Sequence, residues 1–292
     1  MKVRLIFMDV YIGTSGWAYP RGEGTWNGNF YPPGKVGELE YYSRFFKTVE
    51  VNSSFYRPPE PGTTDRWTRQ VPDNFKFAVK LWQKFTHPKM FEAATGEAAV
   101  ISHGDVNLFL NGIEPLVKSG KLGALLAQFP PSFKNDDEGQ RILTAVINSF
   151  GSYHLAVELR HRSWSDAPST VSLLKKYNVV WVQIDEPKFP SSVASELPVT
   201  ADMAYFRFHG RNAENWWSGD NETRYKYLYS VAEITELAQK IKITGQQTGL
   251  VFAFFNNHWK GWAPRNAADM MKRLGLPSTE PLAFGGGLFS NE

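Results

Sequence analysis

Eight short apolar runs, each ending abruptly in polar or aromatic residues, constrain the fold of this chain more than any other feature. They are VYIGTSGW from Val10, KTVEVNSSFYR from Lys47, FKFAVKLWQK from Phe75 and LGALLAQFPPSF from Leu122. HLAVELRHRSW from His154, VVWVQIDEP from Val179, AYFRFHGR from Ala204 and LVFAFFNNHW from Leu250 complete the set. Amphipathic or capped segments lie between many of them. Glu38 to Phe46, Thr63 to Val71, Ser169 to Tyr177 and Thr223 to Lys242 have helical character, and Asn135 can cap a helix running to Phe150. A last helix starts near Arg265 and ends before Gly275.

Strands alternating with helices predict parallel βαβ units. Eight of them predict closure into a (β/α)8 TIM-barrel-like α/β fold, read as a single domain over residues 1–292 with its motifs between about 10 and 275. A doubly wound open sheet is the competing architecture. It usually carries G-x-G-x-x-G after its first strand, and the glycines of GTSGW have a different spacing.

Alternation along each strand then sorts side chains into a helix-facing set and an interior set. In HLAVELR, Leu155, Val157 and Leu159 face the helices, leaving His154, Ala156, Glu158 and Arg160 inside. The same reading puts Trp181, Gln183 and Asp185 inside on the sixth run, and Tyr205, Arg207 and His209 on the seventh. Glu50 and Asn52, Lys80 and Trp82, and Gln128 follow on the second, third and fourth; Asn256 and His258 sit at the polar end of the eighth.

The interior therefore collects Glu50, Lys80, Glu158, Arg160, Asp185, Arg207 and His209, mostly at the strand ends where barrel enzymes keep their chemistry. Such charges must be paired or hydrogen-bonded, so each one also has a reading as an internal counter-ion. Their accumulation at one end favours a functional site. Glu50, Glu158, Asp185 and His209 are the candidate catalytic groups. Trp17, Asn52, Tyr56, Lys80, Arg160, Trp164, Arg207, Asn256 and His258 are the candidate ligand-binding groups.

Several chemistries are excluded or weakened. The chain has no Cys, which removes disulfides, thiolate metal sites and Cys nucleophiles, and fits a cytoplasmic protein. Glu50, His87, Glu158, Asp185, His209 and His258 could each ligate a metal, but they form no compact motif, so no metal site is assigned. Ser15 in GTSG is not a nucleophile elbow and is expected to satisfy backbone groups in a tight turn. The opening MKVRLIFM shows no leader pattern, Met8 is an alternative start, and no apolar stretch reaches the ~20 residues of a membrane span.

Lys80, Arg160, Arg207 and Arg211 lie near strand ends, beside glycine-rich turns that expose N–H donors, and favour an anion. Aromatic residues make up 15% of the chain, and Trp17, Trp82, Trp164, Trp216, Trp217, Trp259 and Trp262 follow strand ends. They either stack on a sugar or base or seal the loops. The expected partner is a small phosphate- or sugar-bearing molecule, with hydrolysis or isomerisation as the chemistry. The competing reading is a non-catalytic nucleic-acid-binding barrel, which a net charge of +3 permits without demanding. No cofactor and no protein partner is read from the residues.

GTSGWAYP with WNGNFYP, VEVNSSFYRPP, FKFAVK followed by FTH, LLAQFPPSF, VELRHRSW, YFRFHGR and FNNHWKGWAPRNA together resemble the YecE-like family, also called domain of unknown function 72. The resemblance runs from Gly13 to about Leu274, with little signal between Met90 and Lys121. It implies a TIM-barrel-like fold and a bacterial or archaeal cytosolic protein, and no assigned activity.

Overall fold

The computed structural model describes residues 9–217 and 221–278. The opening MKVRLIFM lies outside them. Nine strands appear among the described residues: β1 Asp9–Thr14, β2 Thr48–Val51, β3 Lys76–Lys80, β4 Leu122–Gln128, β5 Leu155–Glu158, β6 Val180–Trp181, β7 Gln183–Asp185, β8 Met203–Phe208 and β9 Leu250–Phe255. They form a four-stranded sheet ordered β1-β9-β8-β7 and a five-stranded sheet ordered β2-β3-β4-β5-β6. The pairs β1–β9, β3–β4, β4–β5 and β5–β6 run parallel, with helices between successive strands except from β6 to β7 and from β7 to β8. The fold is mixed α/β with parallel sheets, and neither sheet closes on itself.

The chain divides into two compact units. One comprises Met1–Glu50, Ile184–Lys188 and Phe206–Glu292; the other comprises Val51–Gln183 and Phe189–Tyr205. In the first unit, Thr14 shows how alternation orders a strand. Its hydroxyl and backbone N–H meet the Tyr42 hydroxyl at the end of helix Glu38–Tyr42, so Thr14 faces the helix. Gly13 is required there, because a Cβ would lie 2.2 Å from the Thr48 carbonyl oxygen. Phe208 and Phe255 likewise face the helical layer, where both pack on Tyr229. Tyr229 is pinned through its backbone N–H and carbonyl to Asn266 of helix Trp262–Leu274.

In the second unit, the central strands β4 and β5 are buried along almost their whole length, as expected of parallel strands covered on both faces. Helix Pro61–Gln70 packs on helix His103–Lys118 at Gly112, whose carbonyl accepts the Thr64 hydroxyl proton. The stretch from Met90 to Lys121 thus builds scaffold: helix Pro88–Thr95 followed by His103–Lys118, the latter with a Ser102/Asp105 capping box.

Several element boundaries differ from the sequence reading. The sixth run is shared between the two sheets, β6 in the five-stranded one and β7 in the four-stranded one, with the Val182 N–H between them donating to the Val157 carbonyl. Asp136 rather than Asn135 caps helix Asp137–Phe150, its carboxylate accepting from Gly139 N–H. Asn135 is instead tied to Ser163. The helix expected from Thr223 begins at Val231 behind a Ser230/Glu233 capping box, because the segment just before it is held down through Tyr229. The last helix begins at Trp262, ahead of Arg265.

Candidate functional site

The second unit gathers polar groups on three adjacent strand ends. Lys80, Gln128 and Glu158 are the last residues of β3, β4 and β5, and Gln128 stands opposite Glu158 in the ladder. Lys80 Nζ donates to Gln128 Oε1 at 2.6 Å, and the fully buried Glu158 accepts from Arg160 Nε at 2.6 Å. Arg160 is held from behind as well, its carbonyl accepting from Val193 N–H.

Phe55 links this row to His87. The Lys80 ammonium lies 4.1 Å above the Phe55 ring, and the His87 imidazole meets that ring edge-on at 4.9 Å. Burial pushes the His87 imidazole down to about 3, helped by Lys80 and Arg160 and opposed by Glu158. His87 is therefore uncharged at neutral pH, and its Nδ1 lies 2.9 Å from the Thr86 hydroxyl. Asn52 caps the short turn that carries Phe55, and its buried Oδ1 has no hydrogen-bond partner. The Trp82 indole N–H is likewise buried without one. Tyr56, beside Phe55, is 63% exposed.

A concave pocket of about 290 Å³ opens between the loops that leave β3 and β4, with His87 on its wall. Beneath it Phe133 is sandwiched, 4.1 Å from Phe129 and 5.2 Å from Trp164. Trp164 is fully buried and its indole donates to the Phe133 carbonyl, so its ring and its N–H are both used in packing.

The first unit carries a second row. Gly13 pairs with Phe254 and Thr14 with Phe255, so Ser15 follows beside Asn256; Ser15 is also bridged to Glu50. Asn256 N–H bonds the Phe208 carbonyl, which brings its side chain beside His209. Glu50 accepts two hydrogen bonds from Arg207, from Nε at 2.9 Å and Nη2 at 2.8 Å, with both side chains buried. Asn256 Nδ2 lies 3.0 Å from His209 Nδ1, and Arg207 Nη1 lies 3.5 Å from Nε2. A neutral imidazole has one acceptor nitrogen for these two donors, and an imidazolium has none. Tyr19 stacks on His258 at 4.6 Å, and Tyr225 approaches both His209 and His258.

Two expectations are corrected in this unit. Asp185 was placed on the interior face, but its carboxylate accepts from Arg211 and from the Tyr229 hydroxyl, on the side where Tyr229 packs against Phe208 and Phe255. Burial, then the Asp185 charge, raises the Tyr229 hydroxyl well above its ordinary range, and Arg211 is raised chiefly by its hydrogen bond to Asp185. Ser15 Oγ, expected to satisfy the turn, is buried and has no hydrogen-bond partner; the turn is held by Gly16 N–H to the Glu50 carbonyl and by the Tyr19 hydroxyl to the Ser15 carbonyl.

The tryptophans divide too. Trp26, Trp164, Trp216 and Trp259 are buried and pack, whereas Trp17 is half-buried and Trp217 exposed. Among the described residues no group of three or more His, Asp or Glu side chains gathers as a metal cage, and no helix is long and apolar enough to cross a membrane. His87, the group that most strongly registers the cations of the second unit, was outside the expected binding set. Its signal was present in FTH, just beyond a strand end.

The chain is 31% identical over 280 residues to the UPF0759 protein YunF of Bacillus subtilis, covering 91% of this chain and 95% of that one. A DUF72 family protein of Thermotoga maritima of solved structure is 36% identical, with a TM-score of 0.79 over 91% of this chain and 99% of that one. Another, from Enterococcus faecalis, is 28% identical with a TM-score of 0.79, covering 94% and 98%. With residues 11–284 matching the model of the protein family of unknown function DUF72, this chain belongs to that family.

Proposed function

We propose that this protein binds an anionic, phosphate- or sugar-containing small molecule at the C-terminal ends of its strands. Lys80 and Arg160 supply the attraction and Glu158 is the principal carboxylate. The observation that carries the reading is geometric: Lys80 and Glu158 end the strands on either side of β4 with Arg160 just beyond, and the Lys80 ammonium covers the Phe55 ring that His87, on the wall of an open pocket, meets edge-on. Proton transfer between Glu158 and a bound molecule is the chemistry that fits, in the manner of a hydrolase or isomerase. The row of Glu50, Ser15, Arg207, His209 and Asn256 is a second candidate set within the first unit, with Trp17 and His258 as its aromatic members. The alternating order of strands and helices supports reading the whole as a single (β/α)8 barrel, and the absence of cysteine accords with a cytoplasmic protein.

The test is calorimetric titration with inorganic phosphate and with a neutral sugar, on the wild type and on Lys80→Met. The reading expects phosphate binding that weakens roughly tenfold in Lys80→Met, as loss of one close charge implies. Phosphate binding equally well to both proteins would remove Lys80 from the site, and none to either would remove the reading. The nucleic-acid alternative predicts instead a single-stranded oligonucleotide affinity that falls steeply with added salt.

A further inference from the structure

The pocket between the β3 and β4 loops has a chemical character that the strand-end cations do not explain. Pro88, Met90, Pro130, Phe133 and Ile142 give its wall an apolar part, beside the polar Thr86, His87 and Ser132. It is nevertheless built onto the polar row: the two strands whose loops form it end in Lys80 and Gln128, which are hydrogen-bonded to each other. His87 belongs to both. Its imidazole lines the pocket and meets the same Phe55 ring that the Lys80 ammonium covers from 4.1 Å. The floor is fixed, since the Phe133 ring is stacked between Phe129 and Trp164 and its carbonyl holds the Trp164 indole. Exposed Lys89 and Lys134 add positive charge to the wall and exposed Asp136 and Glu138 add negative charge, so the anion is expected to be held by the strand-end cations and not by the pocket rim.

A volume of about 290 Å³ suits one ring or a short branched chain, not a polymer. We infer that this pocket receives the apolar body of the ligand whose anionic group is held at the strand ends. The substrate class is then a small organic phosphate or carboxylate with an apolar ring or aliphatic portion, rather than a bare anion or a fully hydroxylated sugar phosphate. The inference rests on the anionic-ligand reading above and narrows it. Met90 supports it: this residue is 50% exposed on the pocket wall, and an unbranched thioether there adapts to an apolar guest.

The experiment compares phenyl phosphate with inorganic phosphate by calorimetry and reads the ratio of the two affinities. In the wild type phenyl phosphate is expected to bind at least roughly tenfold more tightly, because the ring leaves water for the apolar part of the wall. Ile142→Trp fills the pocket from helix Asp137–Phe150, and Met90→Trp fills it from helix Pro88–Thr95. Both should bring the ratio close to one. Met90→Trp, at an exposed position, keeps the test decisive should Ile142→Trp fail to fold. A wild-type ratio near one, with inorganic phosphate binding, overturns the pocket inference and leaves the strand-end site standing. A high ratio that survives in the filled variants overturns it equally. Neither anion binding overturns the strand-end reading, and this inference with it.

Discussion

Replacing Glu50 by Gln isolates the cost of uncovering one buried charge. Glu50 and Arg207 have side-chain exposures of 0% and 3%, and two N–H···O bonds of 2.9 and 2.8 Å join them. Gln keeps the shape and one acceptor oxygen but removes the negative charge and the second acceptor. With charge centres about 4 Å apart and an effective dielectric near 20, the lost attraction is about 4 kcal/mol. Leaving one member of a buried pair uncompensated typically costs ~3–5 kcal/mol, consistent with that figure. For a chain of this length each kcal/mol moves the melting temperature by roughly 2 °C, so Glu50→Gln should melt some 6–10 °C lower. Differential scanning calorimetry with urea unfolding at pH 7 measures it. The paired replacement Glu50→Leu with Arg207→Leu removes both charges and should cost less than Glu50→Gln alone, since no bare charge stays buried. A loss below ~1 kcal/mol in Glu50→Gln, or a double variant less stable than the single one, would refute the assignment of this pair as mutually dependent buried charges.

His87 should make stability depend on pH. Its folded value of about 3 lies below the ordinary 6.5, so between those limits the unfolded chain takes up a proton that the folded one refuses. The contribution is therefore complete above pH 6.5 and shrinks as the pH falls toward 3, by at most ~1.4 kcal/mol per pH unit. Urea unfolding at pH 5 and pH 7 should show a wild-type difference larger than that of His87→Gln by up to ~2 kcal/mol; identical differences would contradict the burial of a neutral ring. Gly112→Ala should destabilise despite the better helix propensity of Ala, by roughly 1–3 kcal/mol on thermal melting, as overpacking does. Its Cβ would lie 2.1 Å from the Pro59 carbonyl oxygen, and an unchanged or higher melting temperature would mean that the close approach of the segment before helix Pro61–Gln70 to Gly112 is not needed.

What was legible in the sequence follows from how far a period of two survives. Across β4, β5 and β8 the strands are uninterrupted, and Gln128, Glu158 and Arg207 fall in the polar rows that alternation assigns to them. Alternation did not foresee the setting of Asp185, whose carboxylate is held by Arg211 and Tyr229, residues far along the chain that nothing in VVWVQIDEP announces. It also could not separate structural from accessible aromatics. Trp164 and Tyr56 both follow strand ends, yet one is 1% and the other 63% exposed. That difference depends on Phe133, a residue far away in sequence which covers Trp164. Ser15 shows the same limit: its sequence context suits a turn, and only the ladder beside Asn256 gives its hydroxyl a buried setting.

The two polar rows use similar residues in different ways, and burial separates them. In the first unit Arg207 is 3% exposed and clasped by Glu50 through two nitrogens, a geometry that fixes a strand end and leaves little cationic surface to offer a solute. In the second, Arg160 is 10% exposed and donates to fully buried Glu158 from Nε, while Lys80 donates to the Gln128 amide oxygen. The consequence appears at His87, where the cations outweigh Glu158 and add to the effect of burial. A partly exposed cation near a pocket is within reach of a solute, whereas a cation buried in a two-bond pair is held away from one. On that ground we place the proposed anion site at Lys80, Arg160 and His87, and assign the Glu50–Arg207 pair first to the stability of the strands that carry it.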